Sequence, residues 1–235
     1  MSKMFKVTKV GVVLLIIMMI FSLGNTTSYA NNGGENTEVS IFFKNFINEA
    51  FSDINKLRVK NHDGEDVTDY FLNKTITLFE KEDYKAIREI IINEELVPSI
   101  RKITDIENNI DLMRASRTQT FSDYEYKNEA ARNGFGRLEW TTLLTGTVTY
   151  DPNTGQILSA PNPSIHLHYT GGGWDLPGEM SNVSTSRRIY SSYVNFSGRY
   201  KMTVDIEIID VNGVTWLTVL DFGTHVHSFD AYPDF

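Results

Sequence analysis

Hydrophobic positions along this chain change period near its middle. Phe42, Phe43, Phe46, Ile47, Ala50, Phe51, Ile54 and Leu57 recur at steps of three and four, which draws one wide apolar stripe down a helix. Asn61-His62-Asp63-Gly64 is a turn sequence, and Asp66-Val67-Thr68-Asp69 is a helix start running into Tyr70 and Phe71. A longer helix is predicted from about Glu82 to Leu96, ended or restarted by Pro98, and a further one around Ile100 to Met113.

From about Gly134 the period is closer to two. Leu138–Leu144, Thr145–Tyr150, Gln156–Ala160, Ile165–Tyr169, Ile189–Phe196, Gly198–Val211 and Val214–His227 are strand candidates, rich in Thr, Val, Ile and Tyr. Turn sequences such as Asp151-Pro152-Asn153-Thr154-Gly155 separate most of them. The predicted class is α+β: a helical region over residues 31–130, then an antiparallel β-sandwich or small barrel of about seven strands over 131–235. Tyr169 to Arg188, with Gly171-Gly172-Gly173-Trp174 and Pro177-Gly178, reads as a long exposed loop. On a rigid β scaffold such a loop is a place for ligand contacts, and Trp174, Asp175, Arg187 and Arg188 are its candidates.

Asn212-Gly213 is a strong two-residue hairpin signal. Closing the turn there pairs Met202 with Gly223, Val204 with Asp221, Ile206 with Val219 and Ile208 with Leu217. Opposed residues share a face. That face carries Met202, Val204, Ile206, Ile208, Leu217 and Val219 toward a core, with Asp221, His225 and His227 at its far end. A bulge at Gly223 is the change that would turn both histidines over.

Four of the five histidines form two H-x-H pairs, His166 with His168 and His225 with His227. In a strand, residues two apart project to one side, so each pair presents two imidazoles together. Adding Asp221 gives a donor set for Zn²⁺ or another divalent transition metal. The competing reading is structural histidine, hydrogen-bonded within the sheet.

The first thirty residues have the pattern of a secretory signal peptide: Lys3, Lys6 and Lys9, an apolar run from Val10 to Phe21, and Ser28-Tyr29-Ala30 before the cleavage point. The run is too short to span a bilayer easily, so no membrane span is expected after cleavage. Losing the three lysines takes Lys+Arg from 22 to 19 against 30 acidic residues, a net charge of −11. Such a chain is ill suited to nucleic acid, whose phosphates require a basic face. With no cysteine there is no disulfide and no lipid-anchored cysteine. A secreted protein, of Gram-positive bacterial type, is the expectation.

No cysteine nucleophile, H-E-x-x-H helix, G-x-S-x-G elbow or phosphate-binding glycine loop is present. Binding is therefore expected ahead of catalysis. The partner class is a glycan, a cell-wall component or a protein, with Trp174, Tyr190, Tyr193, Tyr200 and Tyr232 as possible stacking surfaces. The alternative is a metal-dependent protein or enzyme built on the H-x-H pairs.

Overall fold

The computed structural model describes residues 39–106, 116–132, 136–171, 178–209 and 215–234. The expected leader and the Asn212-Gly213 turn lie outside them. The element order is α1 (Ile41–Ser52), β1 (Leu57–Lys60), α2 (Thr68–Glu80), α3 (Tyr84–Asn93), β2 (Val97–Ile106), β3 (Arg117–Ala130), β4 (Arg137–Tyr150), β5 (Ile157–Ser159), β6 (Ser164–Gly171), β7 (Glu179–Ile189), β8 (Val194–Ile209) and β9 (Thr215–Ala231). The fold is mixed α+β, with two antiparallel sheets. The first runs β1-β2-β3-β4-β5 with β6 also on β4, and the second runs β7-β8-β9. Both are open. No helix among the described residues is long and apolar enough to cross a membrane.

The three helices form where the apolar stripes lie. Phe43, Phe46, Ile47 and Ala50 are the buried face of α1, and Ile87 and Ile91 that of α3. Ser40 begins α1 by accepting the Phe43 amide at 3.1 Å, which satisfies one of the donors a helix start leaves open. Asp83 does the same for α3 through the Ala86 amide.

The helix expected around Ile100 to Met113 is a correction. Val97–Ile106 is a strand, paired with β3 from Ser99 to Ile106. Ile100, Ile103 and Ile106 have helical spacing, but pairing with β3 overrides a local preference of well under 1 kcal/mol per residue. β3 itself also lies in the region read as helical. The position 130/131, where the two regions were divided, is the link between β3 and β4, which pair from Arg117↔Tyr150 to Ala130↔Arg137. Leu138–Leu144 and Thr145–Tyr150 are one continuous strand. Of the expected 169–188 loop, residues 169–171 end strand β6 and residues 179–188 belong to strand β7.

The first sheet has a different core on each face. On one side Leu57, Val59, Ile100 and Tyr126 pack with Phe43, Ile47, Phe71, Ile87 and Ile91 of the helices. On the other, Phe121, Trp140, Leu144 and Val148 meet Phe196, Tyr200, Met202, Val204, Leu220, Phe222 and Phe229 of the second sheet. Two glycines set the closeness of this contact. A Cβ at Gly146 would lie 2.4 Å from the Phe196 ring, and one at Gly198 would lie 2.7 Å from Ile165 Cδ1. Glu139, nearly fully buried, ties the helices to the sheet. Its carboxylate receives Arg88 Nη2 at 2.6 Å, Ser40 Oγ at 2.9 Å and Asn128 Nδ2 at 2.9 Å. A buried carboxylate with this many donors is a satisfied charge.

Candidate functional site

The β8–β9 hairpin decides where the second histidine pair goes. Near its tip the pairing is Ile208↔Trp216, Ile206↔Thr218 and Val204↔Leu220, one residue away from the register expected of a two-residue turn. A bulge between Met202 and Thr203 then restores the expected pairs Met202↔Gly223 and Tyr200↔His225. The extra residue reverses the alternation on β9. Leu220 and Phe222 point inward before it, and His225, His227 and Phe229 point inward after it. Gly223 makes the bend possible with φ +97°, a conformation that L side chains rarely adopt. Gly223→Ala is expected to cost about 1–3 kcal/mol in urea unfolding. An unchanged midpoint would mean that the bend is not held.

Three expectations are corrected by this register. Leu217 and Val219 are exposed at 78% and 55% and do not enter the core. Asp221 is on the opposite side from the histidines, paired with Lys201 Nζ at 3.0 Å and accepting the Gly223 amide at 2.7 Å. Both contacts hold its carboxyl below the ordinary carboxylate range. It is therefore not part of a donor set with His225 and His227.

His227 is fully buried between the sheets. Its Nε2 is 3.0 Å from Asp123 Oδ2, so this nitrogen carries the proton and donates. Its Nδ1 then accepts from the Thr142 hydroxyl at 2.9 Å. Asp123 is buried as well, with Ser99 Oγ at 3.3 Å and Arg101 Nε at 3.7 Å from its other oxygen. The imidazole thus closes a chain of polar groups running from β2 through β3 to β4 and β9.

His225 is packed edge-on to Trp140, with ring centroids 5.0 Å apart, and lies 5.5 Å from the Tyr200 ring. Nε2 donates to the Phe222 carbonyl at 2.9 Å, which leaves Nδ1 as an acceptor, 3.4 Å from Glu129 Oε1. Burial, and after it the charge of Lys127, pushes the imidazole pKa down to about 4. Burial also raises the Glu129 carboxyl above its usual value. Burial thus disfavours the charged form of both groups. Glu129 borders a cleft of about 720 Å³ with Glu125, Lys127, Lys60, His62 and Arg137.

The other histidine pair is elsewhere. His166 pairs with Leu143, and Leu143 alternates with Leu144 of the inter-sheet core. His168 lies edge-on to Tyr124, whose partner is again Leu143. Both are exposed on the helix side of the first sheet, which stands between them and His225 and His227. Among the described residues no group of three or more His, Cys, Asp or Glu side chains could hold a metal ion.

Of the loop candidates, Trp174 and Asp175 lie outside the described residues. Arg187 donates to Asn162 Oδ1. Arg188 reaches the Tyr190 hydroxyl at 3.5 Å, at the edge of an aromatic stack. Tyr190 and Tyr193 are 4.4 Å apart and nearly parallel at 11°; Tyr193 and Tyr232 are 5.0 Å apart at 24°. Arg188, Asn195 and Asp230 form a row across β7, β8 and β9 beside it, with Asn195 Nδ2 donating to Asp230 Oδ1 at 2.8 Å. Tyr200 is no part of this surface, being buried with its hydroxyl accepting from Trp140 Nε1 at 3.0 Å.

Asp123, Thr142 and Glu129 are the partners that sequence reading missed. The alternation of Phe121, Asp123, Glu125, Lys127 and Glu129 was the available signal for a strand, but its charged members suggest a solvent face. No protein-family model matches the chain, and neither does any curated protein or solved structure compared with it.

Proposed function

We propose that this chain is an exported binding protein of the cell envelope or extracellular space, and that it holds a glycan at the Tyr190–Tyr193–Tyr232 end of its second sheet. The observation that carries the reading is the stack of three rings, with Tyr190 and Tyr232 exposed and Tyr193 half-buried between them, beside the Arg188–Asn195–Asp230 row. Sugars present a C–H face that is apolar and slightly positive, and an aromatic ring face is negative and apolar. Rings already stacked on one another lose little freedom on binding. Hydroxyl and carboxylate groups of the ligand then find directional partners in the row, with Arg188 suited to an acidic sugar.

Calorimetric titration with a neutral glucan, a uronic acid polymer and peptidoglycan fragments tests this. Binding to at least one is expected, with the acidic polymer tightest. Tyr232→Ala, at a ring 54% exposed, is expected to weaken it about tenfold, roughly 1.4 kcal/mol, without moving the melting temperature. Absence of binding to all three, or binding untouched by Tyr232→Ala and Arg188→Ala, would remove the proposal.

A further inference from the structure

β9 is the outer strand of the second sheet, and among the described residues other elements bond to only part of its free edge. Along the inner half, β9 carbonyls accept from other elements: Asp221 O from the Arg132 amide at 2.9 Å, Ser228 O from Lys60 Nζ at 2.7 Å and Asp230 O from Arg101 Nη1 at 2.9 Å. Among the described residues, Thr215–Leu220 receives no such bond. This stretch, Thr-Trp-Leu-Thr-Val-Leu, holds neither charge nor proline. Trp216, Leu217 and Val219 are 59%, 78% and 55% exposed. Natural edge strands are ordinarily blunted by lysine, proline, a bulge or a covering loop, because unpaired backbone groups recruit another strand. Here the bulge and the covering contacts begin only at Asp221.

We infer that Thr215–Leu220 is a pairing edge and that its occupant is the same segment of a second copy of this chain. The two strands join antiparallel about a two-fold axis perpendicular to the sheet, which makes one six-stranded sheet. Such an axis preserves faces, so residues of equal parity must oppose each other. Centred on Thr218, the pairing sets Leu217 against Val219 of the second copy and Trp216 against Leu220 of the second copy. Each exposed apolar side chain thereby gains an apolar neighbour across the join. The segment is self-complementary in the way an isologous dimer requires. Charge does not oppose it. Asp205 and Glu207 sit on β8, opposite Val219 and Leu217. Across the join the two β8 strands are three strand spacings apart, about 14 Å. That exceeds the screening length of about 8 Å at physiological ionic strength.

Sedimentation or light-scattering measurement of the purified protein tests the assignment. A concentration-dependent dimer is expected, and Leu217→Lys with Val219→Lys should make it monomeric while leaving the circular dichroism and melting temperature of the dilute protein unchanged. The chain lacks cysteine, so Thr218→Cys reports the axis directly: mild oxidation should give a covalent dimer, because residues facing across an antiparallel pair lie within disulfide reach. A protein that stays monomeric at about 100 μM, far above the dissociation constants of ordinary homodimers, overturns the inference. So does a dimer indifferent to the two lysines and not cross-linked by Thr218→Cys.

Discussion

Replacing His227 with alanine is expected to lower the unfolding free energy by about 2–4 kcal/mol, the sum of a hydrogen bond taken from a buried carboxylate and the cavity left behind. The imidazole is the donor to Asp123 Oδ2 and the acceptor for Thr142 Oγ1, and none of the three side chains has meaningful access to water. Alanine removes the strongest hydrogen bond to the Asp123 carboxylate and the acceptor that His227 Nδ1 offers the Thr142 hydroxyl. It also opens a hole between β4 and β9 that the sheets, held close at Gly146 and Gly198, fill poorly. Arg101, 3.7 Å from Asp123, compensates only weakly at that distance. Urea unfolding at neutral pH measures the change. Thr142→Val should cost about 1 kcal/mol, since a single neutral hydrogen bond is lost and the shape is kept. Replacing His227 and Asp123 together with leucine should recover part of the alanine loss, because the buried charge departs with its partner. A loss below about 1 kcal/mol for His227→Ala would show that the pair is not closed to water as described.

Acid is expected to destabilise the fold well above the range where most carboxylates titrate, through His225. Its pKa falls from 6.5 when the chain is unfolded to about 4 in the fold. Between those values the unfolded chain takes up a proton that the folded chain refuses. Stability from this group is therefore complete above pH 6.5 and is lost as pH falls toward 4. At 1.36 kcal/mol per unit, the loss is about 2 kcal/mol by pH 5 and about 3 kcal/mol by pH 4. Glu129 works in the other direction. Its carboxyl is raised in the fold, so it adds stability below its folded pKa and gives it up as pH rises past 4.5. The net slope between pH 4 and 6.5 is shallower than His225 alone would produce. His225→Phe keeps the aromatic contact with Trp140 and removes the titration. It should lower stability at pH 7, because the Phe222 carbonyl loses its donor. It should also flatten the profile between pH 4 and 6.5. A variant with the same slope as the wild type would assign the acid sensitivity elsewhere.

Much of the fold was legible from residue order. The α1 and α3 stripes follow from the three- and four-residue spacing of Phe43, Phe46, Ile47 and Ala50 and of Ile87 and Ile91, and burying them gives the helical side of the molecule. The strand character of the second half follows from alternation and β-branched residues, and the inward direction of His225 and His227 was among the expectations. β2 and β3 were not legible, because helix-like isoleucine spacing and an alternation of charged residues both mislead when a strand is defined by its neighbours. The candidate site was half legible. Sequence singled out the histidines by type and spacing, yet their partners Asp123, Thr142 and Glu129 lie 85 to 104 residues distant and carry no local mark.

What the sequence determined by itself is whatever depends on neighbours one to four residues away: the helical stripes, the caps at Ser40 and Asp83, the alternation of the strands and the turn at Asp151–Gly155. Tertiary structure alone decided everything that depends on register. A single bulge at Gly223 separated Asp221 from His225 and His227, because strand alternation has a period of two and one inserted residue reverses it. The first sheet, lying between them, keeps the two histidine pairs apart. The folding of β7 back onto β8 brought Arg188 to Tyr190, and β9 set Tyr232 against Tyr193. None of these distances is encoded in spacing along the chain; each follows from which strand edges pair and which faces can be buried together.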